Sequence, residues 1–377
     1  MKKFIPVNEP LLDGNELKYV SDCINSGWIS SEGPFVNRFE NEFANYIGKK
    51  YAVAVSNGTA AIDISIESLN LKPGDEVILP AFTIISCVNQ ILRAGAKPIF
   101  IDSDLETWNI VVEQISNSIS NKTKAIMVVH IYGLPVDLDP IISICKKHNL
   151  VLIEDTAEVI GQTYKGKMCG SFGDISTFSF YPNKHITTGE GGMILTDSEE
   201  VYNKLKKLKN LYFSENPDER FIHQELGWNC RMTNIQAAIG VAQLETIEIK
   251  LQKKRLIGKW YNDRLKNING VQLPIAKTDY ADNIYWVYAI LLDEKYGEAK
   301  KIRKSLELQG IGTRPFFYPL NRQPIVNKYG FSDENCKNAF MMYKQGLYLP
   351  SGLNLSNDQV NDVCDNLIIT LKEIILL

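Results

Sequence analysis

GDISTFSFYPNKHITTGEGGMILTD, Gly173 to Asp197, reads as an apolar strand ending at Ser179, an irregular segment holding Lys184, and a glycine-rich turn at Gly189–Gly192. In open α/β sheets, ligands sit in loops at the carboxyl ends of parallel strands. A lysine in such a loop, with little helix or strand around it, suits a Schiff-base nucleophile. On this stretch alone, a surface lysine beside a glycine turn fits as well.

Upstream of this stretch, strand-like and helix-like segments alternate. Apolar runs at 51–55, 76–79, 98–101, 125–129, 151–154 and 175–179 are predicted strands, and 59–69, 86–94, 138–148 and 198–208 are predicted helices. Short apolar, β-rich runs separated by helices predict a mostly parallel sheet covered on both faces. The punctuation agrees, with Pro73-Gly74 before one strand and Gly95 before another. A charge-rich helical stretch follows at 235–265, and its KLQKKR run, Lys250–Arg255, reads as a solvated helix face rather than a nucleic-acid contact. Beyond it, 285–291 and 312–315 read as strands, and 300–309 and 359–375 as helices. The expected organisation is a large α/β domain with an N-terminal helical arm over 1–247 and a smaller α+β domain over 248–377.

The chain's 377 residues fit this division at about 150 residues per domain. Hydrophobic residues at 45% and charged residues at 23% exclude disordered, collagenous and disulfide-stapled classes. A net charge of -3 gives no global pull toward nucleic acid or anionic membranes, so an anionic ligand needs a local site. Seven cysteines without a CxxC pair fit reduced thiols in the cytoplasm. Four scattered histidines carry no zinc signature, and no metal is expected. Neither a signal peptide nor a membrane span is expected. The start, MKKFIPVNEPLL, meets Pro6 before any apolar stretch develops, and no apolar run approaches the ~18 residues a span needs.

Two further stretches add chemistry. In VSNGTAAIDIS, Val55–Ser65, a strand gives way at Asn57-Gly58 to a helix, and the free amides of a helix start can cradle a phosphate. A plain strand–turn–helix connection fits the same residues. In VLIEDTAE, Val151–Glu158, Asp155 stands where an apolar strand runs out, and a buried carboxylate there needs a cationic partner unless it merely caps the next segment. A phosphate cradle, an acid for a pyridinium nitrogen and a Schiff-base lysine are together the contacts that pyridoxal phosphate (PLP) requires.

With these residues assembled, the chain resembles the sugar-nucleotide aminotransferase family of fold-type-I PLP enzymes (DegT-type). The matching stretches are SNGTAA, GDEVILP, AGAKPIFID, KAIMVVHIYG, IEDTAE, GDISTFSF, NKHITTGEGGM, NCRMTNIQAAIG and TRPFFYP, spread over nearly the whole chain. The resemblance implies a seven-stranded, mostly parallel sheet sandwiched by helices, with a smaller C-terminal α+β domain. It implies that Lys184 is the Schiff-base lysine and proton shuttle, and that Asp155 pairs with the pyridinium. Glu158 lies beside the ring, Gly58 and Thr59 meet the phosphate, and Ser179 adds a hydroxyl. Asn229 resembles the asparagine that reaches the phosphate from the partner subunit, which makes a homodimer with shared sites obligatory. His185, Arg231, Arg314 and Tyr318 are candidate contacts for the sugar nucleotide.

The run of similarity through DLETWNI and GWNCRMTNIQAAIG points to the branch that aminates GDP-4-keto-6-deoxymannose, a step toward O-antigen lipopolysaccharide. L-glutamate is the expected donor, and pyridoxamine phosphate the form of the cofactor between the two half-reactions. A UDP- or dTDP-linked keto sugar is the alternative substrate. A PLP-dependent sugar dehydratase and a non-catalytic nucleotide-sugar-binding relative are rival classes. The dehydratase branch carries histidine where Lys184 stands, and a binding module has no need of a Schiff-base lysine. Many relatives stack an aromatic residue on the cofactor where this chain has Ile84, which leaves Phe82 or no residue in that role. His130 reads as a hydrogen-bonded core residue, His223 as either a substrate contact or plain surface, and Trp108, Trp228 and Trp286 as packing residues.

Overall fold

The computed structural model describes residues 4–376. Met1–Lys3 of the MKKFIPVNEPLL start, and Leu377 at the end of the expected C-terminal domain, lie outside the described residues.

Seven strands form the main sheet: β1 Tyr51–Val55, β2 Glu76–Pro80, β3 Lys97–Ile101, β4 Thr123–Val129, β5 Val151–Asp155, β6 Ile175–Ser179 and β7 Gly192–Thr196. Their spatial order is β1-β7-β6-β5-β4-β2-β3. Only β7 runs against its neighbours β6 and β1, and the other adjacent pairs are parallel. The sheet is dry on both faces, as a continuous apolar strand requires. Along β4, Ile126 and Val128 enter one hydrophobic cluster while Ala125, Met127 and Val129 enter the other. The six strands read from sequence for this sheet match to within two residues. β7 was missed because its run lies directly against the glycines that mark a turn.

Helix Pro34–Ile47 anchors the stretch that leads to Lys184. Its Phe43 meets Phe178 edge-on at 4.9 Å and Phe180 at 5.2 Å, and its Phe39 lies 5.0 Å from Phe180. Such pairs add about 0.5–1.5 kcal/mol each beyond area burial. Because strand side chains alternate, fixing Phe178 and Phe180 on the helix side turns Ser179 to the opposite face.

A second, antiparallel sheet of β8 Val271–Gln272, β9 Tyr288–Leu292, β10 Arg314–Pro315 and β11 Gly346–Leu349 has the order β8-β9-β11-β10. The N-terminal arm is expected to belong to the large domain, yet Ile5 in it packs on this smaller unit. Ile5 bridges Ile311 and is buried among Leu306, Leu347 and Val360. The stretch read as one helical run over 235–265 is two helices, Asn234–Glu245 and Ile247–Leu265, broken at Thr246. The second helix joins the two cores: Ile247 and Leu251 pack with the large sheet, and Ile257, Tyr261 and Leu265 with the small one.

The KLQKKR run is not the solvated face expected, because Lys250 and Lys254 are buried. Lys254 Nζ donates to the carbonyls of Trp286 at 2.9 Å and Ser351 at 2.5 Å, and burial pushes its pKa down to about 7. Periodicity alone cannot reveal a lysine that spends its hydrogen bonds on backbone oxygens between two units. No helix among the described residues is long and apolar enough to cross a membrane.

Candidate active site

The carboxyl ends of β1, β2, β4, β5 and β6 converge on one cavity of about 590 Å³. Asn57, Gly58 and Thr59 follow β1, Thr83 and Ile84 follow β2, Val129 ends β4, Asp155 ends β5, and Ser179 ends β6. Lys184 enters from the loop that links β6 to β7. This is where an open α/β sheet offers its ligand crevice.

Close backbone approach builds the phosphate corner. Gly192 pairs with both Val55 and Ser179, and a Cβ there would lie 2.4 Å from the Asn57 carbonyl oxygen. A Cβ on Gly58 would lie 2.7 Å from the Ser179 Cβ. Two glycines therefore let the start of helix Gly58–Ser68 press against the end of β6. Asn57 caps that helix, its Oδ1 accepting from the Ala60 amide at 2.8 Å. The amides of Gly58 and Thr59, ahead of the first intrahelical bond, are left for an anion. The Thr59 and Ser86 hydroxyls meet at 2.7 Å on the same rim.

Asp155 and Glu158 are both buried. The Asp155 carboxylate accepts from the Ala157 amide at 3.1 Å and the Cys87 thiol at 3.5 Å, and burial raises its pKa. Glu158 accepts from the Tyr132 amide at 2.8 Å, and burial pushes its pKa to about 8. Burial lowers the pKa of Lys184, opposed by Glu158 and Asp155. Its Nζ rests 3.8 Å from the centre of the Trp286 ring. The loop carrying Lys184 is tied at three points. Trp286 Nε1 donates to the Asn183 carbonyl at 2.7 Å, Asn8 Nδ2 to the Pro182 carbonyl at 2.9 Å, and the Lys184 amide to the Tyr181 carbonyl at 2.9 Å.

These residues fit PLP. Two buried carboxylates face one lysine, and a protonated pyridine nitrogen supplies the cation that buried Asp155 lacks. The helix start, with the Ser179 hydroxyl beside it, suits the phosphate.

A model described as the DegT/DnrJ/EryC1/StrS aminotransferase family matches residues 10–368. The chain belongs to that family. A GDP-perosamine synthase from Escherichia coli O157:H7 is 43% identical over 367 residues, which is 97% of this chain and 98% of the relative. An aminotransferase, TlmJ, from Streptoalloteichus hindustanus has a similar structure with a TM-score of 0.92 at 28% identity, covering 98% of this chain and 99% of the other. A GDP-4-keto-6-deoxymannose-3-dehydratase, solved with a trapped PLP–glutamate geminal diamine, has a TM-score of 0.89 at 27% identity over 96% of this chain and 100% of the other. As a family member the chain is a PLP-dependent sugar-nucleotide aminotransferase with the fold-type-I architecture.

Of the residues singled out from sequence, Gly58, Thr59, Asp155, Glu158, Ser179 and Lys184 line the cavity together. Five others do not line it. Asn229 is exposed and bridges Asn210, and Arg231 donates to Asn210 Oδ1 at 2.6 Å. Arg314 sits on β10, and Tyr318 packs edge-on against Tyr343 at 4.9 Å. His185 is fully buried with both ring nitrogens unpartnered, and burial, then Lys254 and Lys184, keeps its pKa well below the usual histidine value. The turn at Tyr181–Lys184 leaves Lys184 on the cavity and His185 packed in the interior, away from the ligand.

Phe82 is buried against Tyr132, Phe316 and Phe317, whereas Ile84 lines the cavity, so the aliphatic residue holds the wall position and Phe82 does not. Trp286, read as packing, lines the cavity, as do Phe317 and Tyr348. Phe317 lies within the TRPFFYP stretch, but no local spacing shows that it, Trp286 and Tyr348 meet the cavity, because they come from the small unit across a tertiary contact. His130 is a core residue, its Nε2 facing Glu154 Oε1 at 3.1 Å while Nδ1 accepts from the Val136 amide at 3.1 Å. His223 is exposed, with Nδ1 2.8 Å from the Leu211 carbonyl.

A pH dependence follows from Glu158. Its pKa rises from 4.5 to about 8 on folding, so between those values the folded chain keeps a proton that the unfolded chain has lost. Stability therefore falls as pH climbs through that window. In the cofactor-free protein, Glu158→Gln, which retains an acceptor for the Tyr132 amide, is expected to gain Tm over the parent chain progressively across the window. A Tm difference independent of pH contradicts the assignment.

Proposed function

We propose that the chain aminates GDP-4-keto-6-deoxymannose to GDP-perosamine, with L-glutamate as the amine donor. The observation that carries the chemistry is the meeting of Lys184, Asp155 and a glycine-opened helix start on one cavity. The likeness to the E. coli GDP-perosamine synthase over nearly both chains supports the choice of sugar.

Bound PLP supplies an electron sink for a carbanion at the donor's α-carbon. Asp155 keeps the pyridine nitrogen protonated, which that sink requires. Glu158, beside it, accepts from the Tyr132 amide and so fixes that wall of the cavity. Gly58, Thr59 and Ser179 hold the phosphate and orient the ring. With PLP held there, Lys184 Nζ would take the proton from the glutamate α-carbon and, in the second half-reaction, would supply the proton at C4 of the sugar. The amine must be neutral to accept a proton, and the downward push of burial on its pKa favours that form. Trp286, 3.8 Å away, gives the charged form a face to rest on between transfers.

The dehydratase reading is disfavoured because Lys184 faces the cavity while the adjacent His185 is buried off it. Mass analysis of the product from GDP-4-keto-6-deoxymannose and glutamate separates the two. Replacement of the keto oxygen by an amine supports the proposal, and net loss of water contradicts it.

We also place the enzyme in the cytoplasm, supported by its seven free thiols. It acts there as a homodimer in which Asn229 reaches the partner's phosphate site, a role supported by its exposure away from its own cavity. Co-expression of Lys184→Ala and Asn229→Ala chains tests this. In a mixed dimer, action across the interface leaves one site with both residues intact and restores activity. Action within one chain leaves no intact site, and activity stays lost.

A further inference from the structure

Outside the Lys184 cavity, a second group of basic side chains gathers on the small unit. Helix Ala299–Leu308 packs on β10 and presents Lys300, Arg303 and Lys304, spaced three and four apart, on one face. With Arg314 of β10 and the backbone at Gly312–Thr313, they line a cavity of about 400 Å³. An adjoining cavity, also about 400 Å³, shares Lys300 and Arg303 and adds Lys344.

Neither arginine is paired with a carboxylate among the described residues. Arg303 Nε is sealed from solvent and has no hydrogen-bond acceptor among the described residues. Arg314 Nη1 donates to the carbonyl of its neighbour Thr313 at 3.1 Å. Glu307 lines the same cavity without pairing with either guanidinium, and Glu298 lies 3.9 Å from Lys344 instead. Burial, and then the nearby Arg314, lowers the pKa of Arg303, and Glu307 opposes that shift only in part.

We propose that Arg303 and Arg314, flanked by Lys300 and Lys304, form a binding site for a phosphate-type oxyanion. Guanidinium donors match phosphate oxygens in a fork, and the orphaned Nε–H is the donor such a ligand completes. Arg314 is the direct cross-strand partner of Tyr348, so both side chains stand on one face of the small sheet. Tyr348 also lines the Lys184 cavity, which makes the two sites neighbours. Two sources supply this chemistry: the diphosphate of a nucleotide-linked substrate reaching out of the Lys184 cavity, or a separate phosphate-bearing anion. The site itself does not depend on which keto sugar the enzyme aminates.

The test is calorimetric titration of the PLP-loaded enzyme with inorganic pyrophosphate. Saturable binding is expected, weakened at least about tenfold in Arg303→Gln and in Arg314→Gln, since each removes charge-assisted hydrogen bonds to the anion. Arg314 is exposed, so its variant stays informative if Arg303→Gln misfolds, and unchanged cofactor absorbance certifies the fold of each. Absence of saturable binding to the parent enzyme, or equal affinity in folded variants and parent, overturns the proposal. Repeating the titration with saturating GDP assigns the source. Pyrophosphate excluded by GDP supports the site as the seat of the substrate's own diphosphate, and pyrophosphate bound alongside GDP supports it as the seat of a separate anion.

Discussion

Lys184→Ala is expected to lower turnover by roughly 10⁴-fold or more, because one substitution removes both the covalent anchor and the proton shuttle. The fold should survive. Lys184 makes no side-chain hydrogen bond, its Nζ rests on Trp286, and the loop is held by backbone carbonyls that alanine retains. The variant should still bind PLP without a covalent link, through the helix start at Gly58–Thr59 and through Asp155. Stopped-flow absorbance after mixing with glutamate reads the loss, and equilibrium dialysis reads the retained cofactor. Turnover within tenfold of the parent would remove Lys184 from the mechanism.

Asp155→Asn should have the next largest effect. The carboxylate ends β5 in a buried position whose neighbours within hydrogen-bond reach are an amide and a thiol, so its burial makes sense once a cation stands opposite. Breaking a buried pair by neutralising one member costs about 3–5 kcal/mol. Felt in the transition state, that is about 10²–10⁴-fold in kcat. Asparagine keeps an oxygen for the Ala157 amide, so a residue that only caps the following turn would make this variant nearly silent. Steady-state kinetics with glutamate thus distinguishes a charge role from a capping role, and a kcat within threefold of the parent favours the cap.

How much of this was legible in the sequence depended on how local the signal was. Strands buried on both faces are continuous apolar runs, so β1, β5 and β6 could be read almost to the residue. The same logic placed Asp155 and Ser179 at strand ends and Lys184 in the following loop. β7 was lost because its direction, antiparallel in a parallel sheet, leaves no periodic trace and its first residue is one of the turn glycines. The glycines themselves were read as a turn. That Gly192 and Gly58 are required by backbone approach to Asn57 and Ser179 becomes visible once β7 lies between β1 and β6. Trp286, Phe317 and Tyr348 reach the cavity from the small unit, and such long-range convergence has no signature in local spacing. Lys254 misled for the opposite reason. A basic helical run ordinarily faces water, but here two backbone carbonyls receive its ammonium group between the units. His185 misled through adjacency to Lys184, since the turn that carries both buries one and leaves the other on the cavity.

The most direct test of sugar amination at the Lys184 cavity is a single-turnover absorbance experiment. Enzyme converted to its pyridoxamine form with glutamate, then freed of donor, is mixed separately with GDP-4-keto-6-deoxymannose and with UDP-4-keto-6-deoxyglucose. Return of the PLP absorbance band with the GDP sugar alone is the expected result. Return with the UDP sugar alone would contradict the proposed substrate, and failure of glutamate to convert the enzyme in the first place would contradict the transamination mechanism proposed for Lys184.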